Sequence, residues 1–426
     1  MMMNQEQANR IAEACLEKFE RLPKTGKPNL EFEWTILSAI VLVDGGSEIE
    51  IVSMGTGTKC LGSDELSEKG DVLNDSHAEV MARRGFLRYL MQQMNNSLIN
   101  QTSALIYNNA TNKFVLKEGV SFHFFTTHSP CGDASIYEQS DLKQEPTAKR
   151  MKCESSEAGQ ILNTADGMTG GKLLSCTSND LMAQDLGMIR TKPGKGVRTL
   201  SVSCSDKMIR WNILGVQGSL LMMLLEQPIY LRSIVFCDGT DYNKEAVERA
   251  LWKRWNTELI HSVLLSPYSL NQSGIFQATN GLLFDYRKNR KVKFEGKFKP
   301  YPGGIVWCSG VNKELEVEIS GRRQGVTKKK LGTPAARLKI SKIELFSTFV
   351  GIQNKLLEVA RTRGPAEVIK GTGTNSEEHQ VWDSHLRYCE AKNRSHLYRE
   401  QWKALRVKVF ETWTEKPNNL LDFSLG

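Results

Sequence analysis

Apolar residues along the chain follow helical spacing in some segments and strand-like spacing in others, which indicates a mixed α/β protein. Residues 4–22 have apolar side chains at helical intervals and stop at Pro23, so they predict a helix. Residues 34–43 and 48–54 follow with the pattern of two strands. A second helix is expected after residues 74–76, where Asn, Asp and Ser offer capping side chains.

The same patterns predict the elements of the rest of the chain. A strand at residues 120–126 is expected to lead into a helix at residues 131–137, since proline suits a first helical turn. A further strand at residues 198–203 would lead into a helix at residues 204–225. The remaining predictions are a strand at 228–238, a hairpin at 306–319, and helices at 243–255, 341–360, 380–389 and 399–412.

Two segments differ from this pattern. No aromatic residue occurs between Tyr137 and Trp211, and residues 139–187 are rich in Ser, Thr, Gln, Lys and Glu. Such a composition cannot bury a core, so we expect a mobile insertion there. Residues 1–33 are expected to form an N-terminal helix and linker, and the whole chain, 1–426, to form one domain.

Composition narrows the class of protein. Of 426 residues, 40% are hydrophobic and 24% charged, which excludes a wholly disordered or fibrous chain. The longest apolar runs are shorter than the roughly 20 residues of a membrane span, and residues 1–10 lack a secretory signal pattern. The nine cysteines are an odd number without small-domain spacing, so we expect a reduced intracellular protein, cytoplasmic, nuclear or both. The net charge of +8 is compatible with a nucleic-acid partner.

Three predicted strand-to-helix junctions each contain a residue that can bind metal: His77, Cys131 and Cys204. Each residue alone is unremarkable, since a buried cysteine is usually a small hydrophobe. Together they would place three ligands at helix N-termini, where the dipole favours thiolate. Three protein ligands leave the fourth zinc position open, which is typical of a catalytic site.

Glu79, two residues after His77, is placed to move protons rather than to bind metal. In zinc deaminases the metal lowers the pKa of water towards ~7, and a glutamate transfers the proton to the departing ammonia. The alternative is a structural zinc site. Glu79 and the lack of a fourth ligand argue against that alternative.

These segments resemble the catalytic motifs of the adenosine deaminases acting on RNA. The similarity extends from about residue 34 to the C-terminus, apart from the insertion. It rests on residues 74–79 (NDSHAE), 129–134 (SPCGDA), 203–207 (SCSDK), 210–212 (RWN), 215–220 (GVQGSL), 56–60 (TGTKC) and 413–417 (WTEKP).

The resemblance implies a cytidine-deaminase-like α/β/α fold, with a central mixed sheet and a mainly helical C-terminal part. It implies hydrolytic deamination of adenosine to inosine, with zinc on His77, Cys131 and Cys204 and with Glu79 as general acid and base. It also places Thr58 and Lys59 against the target nucleotide.

Two features favour the tRNA branch of this family over the editors of duplex RNA. About 30 residues before the deaminase are too few for a double-stranded-RNA-binding module. Residues 190–196 also lack the glutamate with which the duplex editors fill the gap left by a flipped base. The tRNA branch implies as substrate the adenosine 3′ of the anticodon of alanine tRNA. The alternatives are duplex-RNA editing and a non-catalytic RNA-binding protein, and the intact Glu79 argues against the second.

Basic residues in two apolar, central helices raise a separate question, because burying unpaired cations is prohibitive unless an anion accompanies them. The resemblance implies inositol hexakisphosphate enclosed in the core, and a polar relay of Asp75 and Lys207 towards the zinc. The further lysine of the duplex editors aligns with Trp402 here. The implied polyphosphate contacts are Asn74, Arg83, Arg84, Lys207, Arg210, Trp211, Gly218, Ser219, Lys342, Tyr388, Lys392, Tyr398, Trp413 and Lys416.

A basic stretch with interleaved aromatic residues, 286–302, is the main candidate for RNA contact. Lysine and arginine side chains bind phosphates, and aromatic side chains stack on bases. An edge strand protected by lysines would have the same composition. The runs Arg322-Arg323 and Lys328–Lys330 are similar and are not ranked by sequence.

Overall fold

The structure is a computed structural model of the chain. It describes residues 3–45, 47–137, 168–169, 186–193, 197, 199–291, 296–362 and 382–426. Most of the expected insertion, residues 139–187, therefore lies outside the described residues. So do residues 194–196 of the loop compared with the base-flipping loop, and residues 292–295 of the basic stretch.

The centre of the molecule is a mixed sheet of eight strands in the order β5-β4-β3-β1-β2-β6-β7-β8. β5, β4 and β3 run parallel to one another, and all other neighbours are antiparallel. The strands are β1 Leu37–Asp44, β2 Glu48–Thr56, β3 Ser121–Thr126, β4 Leu231–Phe236, β5 Gly274–Gln277, β6 Gly303–Cys308, β7 Leu315–Ile319 and β8 Arg322–Arg323.

Short two-stranded ladders and single 3-10 turns lie outside this sheet in the described residues. The ladders are Glu33–Trp34 with Lys299–Pro300, Thr58–Cys60 with Asp75–His77, Leu105–Asn108 with Lys113–Leu116, and Met168–Thr169 with Arg190–Thr191. Single 3-10 turns occur at Ser63–Glu65, Asp133–Ser135, Lys328–Lys330, Pro334–Ala336 and Asn418–Leu421.

Helices cover both faces of the sheet and form the C-terminal part. On one face α1 packs Ile11, Cys15 and Phe19 against the sheet, and on the other face α2 packs Phe86 and Leu90. The helices are α1 Gln5–Arg21, α2 Ala78–Leu98, α3 Cys204–Leu214, α4 Gly218–Met222, α5 Lys244–Glu248 with a π turn at Arg249–Lys253, α6 Thr257–Val263, α7 Lys342–Thr362, α8 Tyr388–Asn393 and α9 His396–Lys408.

The central strands are apolar along nearly their whole length because both of their faces are covered. β1 is buried from Leu37 to Val43, as expected for a strand between two helical layers. The predicted α/β/α fold with a mixed sheet and a helical C-terminal part is thus confirmed. In the described part of the chain, no helix is long and apolar enough to cross a membrane.

Several predicted elements are wrong. Residues 131–137 contain only the 3-10 turn Asp133–Ser135, because Gly132 has a φ of +99° that no α-helix permits. The described residues of the expected strand 198–203 form one bridge, Val202 with Thr191.

Two predicted helices are shorter than expected. The helix 204–225 is interrupted at Gly215, where φ is +81°, and continues as α4. In the expected helix 380–389, the described residues before Tyr388 are not helical.

Candidate active site

The structure brings His77, Cys131 and Cys204 together. The Nδ1 atom of His77 lies 3.7 Å from Cys131 Sγ and 3.8 Å from Cys204 Sγ. Ligand atoms of all three residues lie within 4.8 Å of one another. A tetrahedral zinc ion with ordinary Zn–N and Zn–S bonds places nitrogen and sulfur about 3.5 Å apart. The donor set and its spacing therefore fit zinc.

His77 is held at the end of a short hairpin strand, directly before α2. Its backbone N–H donates to Asp75 Oδ1 at 3.1 Å, and Thr58 pairs with it across the hairpin. Gly57 has a φ of +140°, and a Cβ there would lie 2.1 Å from the Ser76 carbonyl oxygen. The close approach that positions His77 therefore requires glycine at this residue.

Cys131 and Cys204 lie in segments that are hydrogen-bonded to each other. Ser205, on the first turn of α3, donates its backbone N–H to the Cys131 carbonyl at 3.0 Å and receives the Ala134 N–H at 3.2 Å. A Cβ on Gly132 would lie 2.2 Å from Ser203 Oγ. Cys204 begins an α-helix as predicted, whereas Cys131 precedes a 3-10 turn and lacks a full helix dipole.

Cys131 is in an environment that favours its thiolate. The pKa of its thiol is held well below the usual range by a hydrogen bond with Cys204 and by the nearby charge of Lys192, despite burial. The backbone N–H of Cys204 also donates to Cys131 Sγ at 3.3 Å. A thiolate is the form of cysteine that binds metal.

Glu79 lies beside this cluster on the first turn of α2. Burial raises the pKa of its carboxyl, while the neighbouring His77 opposes that rise. Its Oε2 atom is buried and has no hydrogen-bond partner among the described residues. A buried carboxylate with one free oxygen next to a metal-ligand cluster is suited to accept and donate protons.

Lys192 is a residue of the site that the sequence motifs did not reveal. Its side chain is 1% exposed, and its Nζ atom lies 3.0 Å from Asp75 Oδ1 and 3.1 Å from Cys204 Sγ. Lys207 contacts the other carboxylate oxygen of Asp75. Asp75 therefore contacts two lysines. Lys192 lies beside the thiol of Cys204, and Lys207 lines a cavity that is described below. The predicted pair of Asp75 and Lys207 is in contact, and its role as a relay remains a prediction.

Two arginines, also missed from the sequence, support the cysteine segments. Arg249 Nε bonds to Asp133 Oδ2 at 2.9 Å, and its NH2 group bonds to the carbonyls of Asp133 and Ile136. Arg254 pairs with Asp206, and both side chains are almost completely buried. Asp133 lies two residues after Cys131 and Asp206 two residues after Cys204. The only feature of the sequence that pointed to these supporting contacts was the aspartate that follows each of the two cysteines by two residues.

The hairpin strand Thr58–Cys60 places Thr58 and Lys59 next to the cluster. Thr58 pairs with His77 and Lys59 with Ser76. The Thr58 hydroxyl is buried and has no hydrogen-bond partner in the described part of the chain. Contact of these two residues with a nucleotide remains a prediction.

A cavity of about 1690 Å³ lies between α2, α3 and the C-terminal helices. Every polyphosphate contact inferred from the sequence lines it. These residues are Asn74, Arg83, Arg84, Lys207, Arg210, Trp211, Gly218, Ser219, Lys342, Tyr388, Lys392, Tyr398, Trp413 and Lys416. Trp402 and Lys403 line it as well, and the Trp402 ring lies 3.9 Å from the Arg210 guanidinium.

Lys207 pairs with Asp75, but five other cations of this cavity form no ion pair among the described residues: Arg83, Arg84, Lys342, Lys392 and Lys416. Arg83 and Arg84 donate to backbone carbonyls at 2.8 and 2.6 Å. Burial, followed by repulsion from neighbouring cations, lowers the pKa of Lys342 to about 7 and that of Lys392 to about 8. Both polar atoms of the Asn74 side chain are buried without a partner among the described residues. The lining therefore fits a highly charged anion.

An α/β/α fold in which a His-Cys-Cys cluster adjoins a buried glutamate is the arrangement of the zinc-dependent deaminases. The family model described as adenosine-deaminase (editase) domain matches residues 53–417. The chain belongs to this family.

Several curated relatives are similar over nearly all of their length. The tRNA-specific adenosine deaminase 1 of Drosophila melanogaster is 40% identical over 421 residues, which cover 97% of this chain and 96% of the relative. The protein of the same name from Homo sapiens is 31% identical, with 98% and 99% covered. The double-stranded RNA-specific editase Adar of Drosophila melanogaster is 33% identical over 76% of this chain and 45% of its own length.

Proposed function

We propose that the protein hydrolyses adenosine to inosine in tRNA. The observation that carries the proposal is the cluster of His77, Cys131 and Cys204 beside the buried Glu79. The similarity over nearly the whole length to relatives named tRNA-specific adenosine deaminase 1 supports the choice of RNA. Within tRNA, we propose the adenosine 3′ of the anticodon of alanine tRNA, as the sequence motifs imply.

The side chains of the site divide the chemistry among them. His77, Cys131 and Cys204 would hold zinc, which supplies the Lewis acidity that activates water at neutral pH. Glu79 takes a proton from the attacking water and delivers it to the amine at C6 of adenine. Water and adenosine thus give inosine and ammonia, and Glu79 returns to its starting state. Lys192, 3.1 Å from Cys204 Sγ, offsets the negative charge of the thiolates.

We further propose that the cavity holds inositol hexakisphosphate as a structural cofactor. Arg83, Arg84, Lys342, Lys392 and Lys416 line it and are half-buried, and none forms an ion pair within the described residues. A polyphosphate would remove the cost of burying these charges. Its size also suits a cavity of about 1690 Å³ better than a single phosphate does.

One assay tests the proposed reaction. Purified protein is incubated with unmodified alanine tRNA and, separately, with a long RNA duplex, and inosine is located by sequencing. We expect inosine 3′ of the anticodon, and a rate about 10²- to 10⁴-fold lower for Glu79→Gln, the range for loss of a general acid–base group. The zinc content of Glu79→Gln should stay at the wild-type level, because Glu79 is not among the clustered ligands.

The other outcomes identify the alternatives. Inosine in the duplex alone would favour the duplex-editing alternative, which the similarity to the editase Adar supports. Inosine in neither RNA would favour a non-catalytic RNA-binding protein. Unchanged activity in Glu79→Gln would contradict the proposed role of that residue.

A further inference from the structure

The N-terminal linker is built into a basic, aromatic surface beside the active site. Glu33–Trp34 pairs in parallel with Lys299–Pro300. The backbone of this linker is held on both sides, because Tyr301 N–H donates to the Trp34 carbonyl at 2.8 Å and Thr35 N–H to the Tyr286 carbonyl at 3.0 Å. We call the face formed by residues 32–34, 286–291 and 297–301 the arm surface.

Cations on the arm surface lie over aromatic rings. The Nζ atom of Lys288 is 5.6 Å from the ring centre of Trp34, and that of Lys299 is 5.3 Å from the ring centre of Phe32. The Arg290 guanidinium lies 5.3 Å from the Phe298 ring. The two lysines are exposed, and the three rings are half-buried. Each pair places a charge that can contact a phosphate over an aromatic ring, the combination of side chains typical of surfaces that bind single-stranded nucleic acid.

Apart from the buried Glu33, whose carboxylate receives the Asn29 N–H at 2.9 Å, the described charges of the arm surface are positive. The described residues between 286 and 302 include Arg287, Lys288, Arg290, Lys291, Lys297 and Lys299, and none of the described residues in that interval is acidic. None of these cations forms an ion pair within the described part of the chain. An anionic partner would therefore bind these cations without competing with carboxylates of the protein.

The arm surface is continuous with the active site at two places. The Ile36 carbonyl receives the N–H of Gly57, which precedes Thr58 opposite His77. On the other side, Asn289 Nδ2 donates to Asp241 Oδ2 at 3.2 Å, and the Asp241 carbonyl receives the hydroxyl of Ser129, two residues before Cys131. The nucleotides that flank a base bound in the active site would therefore lie near these cations.

Lysines guarding an edge strand do not account for the arm surface as a whole, because Lys288 lies in a turn and only Lys299 lies in a strand, the two-residue segment paired with Glu33–Trp34. The edges of the eight-stranded sheet are β5 and β8, and the arm surface belongs to neither. The pair Arg322-Arg323 does lie on the edge strand β8, so the edge-guard interpretation suits that run instead.

We propose that the arm surface binds the RNA backbone that flanks the edited adenosine, and that it supplies affinity rather than chemistry. This inference rests on the proposed function for the identity of the RNA. The basic residues would contact phosphates without reading sequence, and Trp34 and Phe32 would add stacking.

The test compares two double variants of equal net charge. Lys288→Gln with Lys299→Gln removes two charges from the arm surface. Lys117→Gln with Lys355→Gln removes two exposed charges near the C-terminal end of α2, about 30 Å from its start at the active site. Lys355 Nζ donates to Asn95, and the Lys117 N–H donates to the carbonyl of Ala104, whose own N–H donates to Gln93. Binding is measured as a function of salt on whichever RNA the wild type deaminates, together with the single-turnover rate at saturating RNA.

For the arm variant we expect weaker binding, a salt-dependence slope lower by about 1.5, and an unchanged saturating rate, because each lysine–phosphate contact contributes roughly 0.7 to 0.9 to that slope. Lys288→Arg with Lys299→Arg should restore binding by keeping the charges. An unchanged slope in the arm variant, or an equal loss in the α2 control, would overturn the proposal. Inosine in the duplex alone would refute the tRNA substrate while leaving this comparison to be made on the duplex.

Discussion

At the scale of single residues, the most constrained charge in the site is that of Lys192. Its ammonium group is buried between Asp75 and Cys204, and the carboxylate of Asp75 raises its pKa well above the usual range although burial opposes this. The same contacts, with Lys207, keep the pKa of Asp75 well below its usual range in spite of burial. A buried pair of this kind is costly to break, because each partner leaves an uncompensated charge.

We therefore predict that Lys192→Met lowers the free energy of unfolding by about 2–3 kcal/mol. The buried carboxylate of Asp75 would lose one of its two charged hydrogen-bond donors and keep Lys207 and the neutral N–H of His77. Denaturant unfolding measures the change. Lys117→Met is the control, because its ion pair with Asp44 is exposed and should contribute no more than about 0.5 kcal/mol. Equal stabilities of the two variants would contradict the argument.

The residues found from the sequence were those held in contiguous motifs. His77 and Glu79 are two residues apart, and the cysteines lie in recognisable segments, so spacing was enough to propose a site. Lys192 has no such neighbour, and its partners are Asp75 and Cys204, 117 and 12 residues away along the chain. Only the folded chain brings these charges together.

At the scale of elements, the π turn that follows α5 positions both supporting arginines. The backbone N–H of Arg254 donates to the Arg249 carbonyl at 2.9 Å, a bond that spans five residues. In an α-helix, residues five apart point to different sides. The wider turn lets one helix end reach Asp133 with one arginine and Asp206 with the other. The helix thus fixes the segments of Cys131 and Cys204 relative to each other.

We predict that Arg249→Lys folds but releases zinc at least about tenfold faster than the wild type. Lysine keeps the charge but cannot reach Asp133 and the two carbonyls at once, and residues that orient ligand segments typically contribute 10- to 100-fold to metal affinity. Zinc transfer to a chromogenic chelator gives the rate. Lys253→Met changes an exposed residue of the same turn and should release zinc at the wild-type rate.

The type of an element could be predicted from the sequence where a long apolar pattern exists. The prediction failed where a single glycine or a single side chain determines the backbone conformation. The strands β1 to β4 and the helices α1, α2 and α7 agree with the predicted segments, because their buried faces repeat over several turns or residues. The segment after Cys131 had the composition of a helix. Gly132, packed against Ser203, instead requires a positive φ and limits it to a single turn.

At the scale of the whole molecule, the C-terminal helices and the deaminase core enclose charges that neither part would bury alone. Arg83 and Arg84 come from α2, Arg210 from α3, and Lys342 and Lys392 from α7 and α8. Those helices are separated by long stretches of sequence. The basic residues of α2 and α3 raised the question of an enclosed anion, whereas the contribution of α7 and α8 was inferred only from the family resemblance. Part of the net charge of +8 therefore faces a cavity rather than the surface.

The half-buried lysines of the cavity predict opposite pH dependences of stability for the empty and the filled cavity. Burial, and then repulsion between cations, lowers the pKa of Lys342 to about 7 and that of Lys392 and Lys416 to about 8, against about 10.4 in an unfolded chain. Between these values the unfolded chain holds more protons than the fold. The ligand-free protein should therefore become more stable as pH rises from about 7 towards 10.

A bound polyphosphate should keep the same lysines protonated, so binding takes up protons and the gain in melting temperature on adding inositol hexakisphosphate should shrink between pH 7 and pH 9. Melting at constant ionic strength, with and without the ligand, measures both effects.

In Lys342→Met with Lys392→Met, two half-buried charges of the cavity are replaced by apolar groups of similar length. We expect this variant to melt higher than the wild type without ligand and to gain less from it. A variant that melts lower without ligand and gains as much as the wild type would show that these lysines are stabilised by the protein itself, and the cavity would not need an anion.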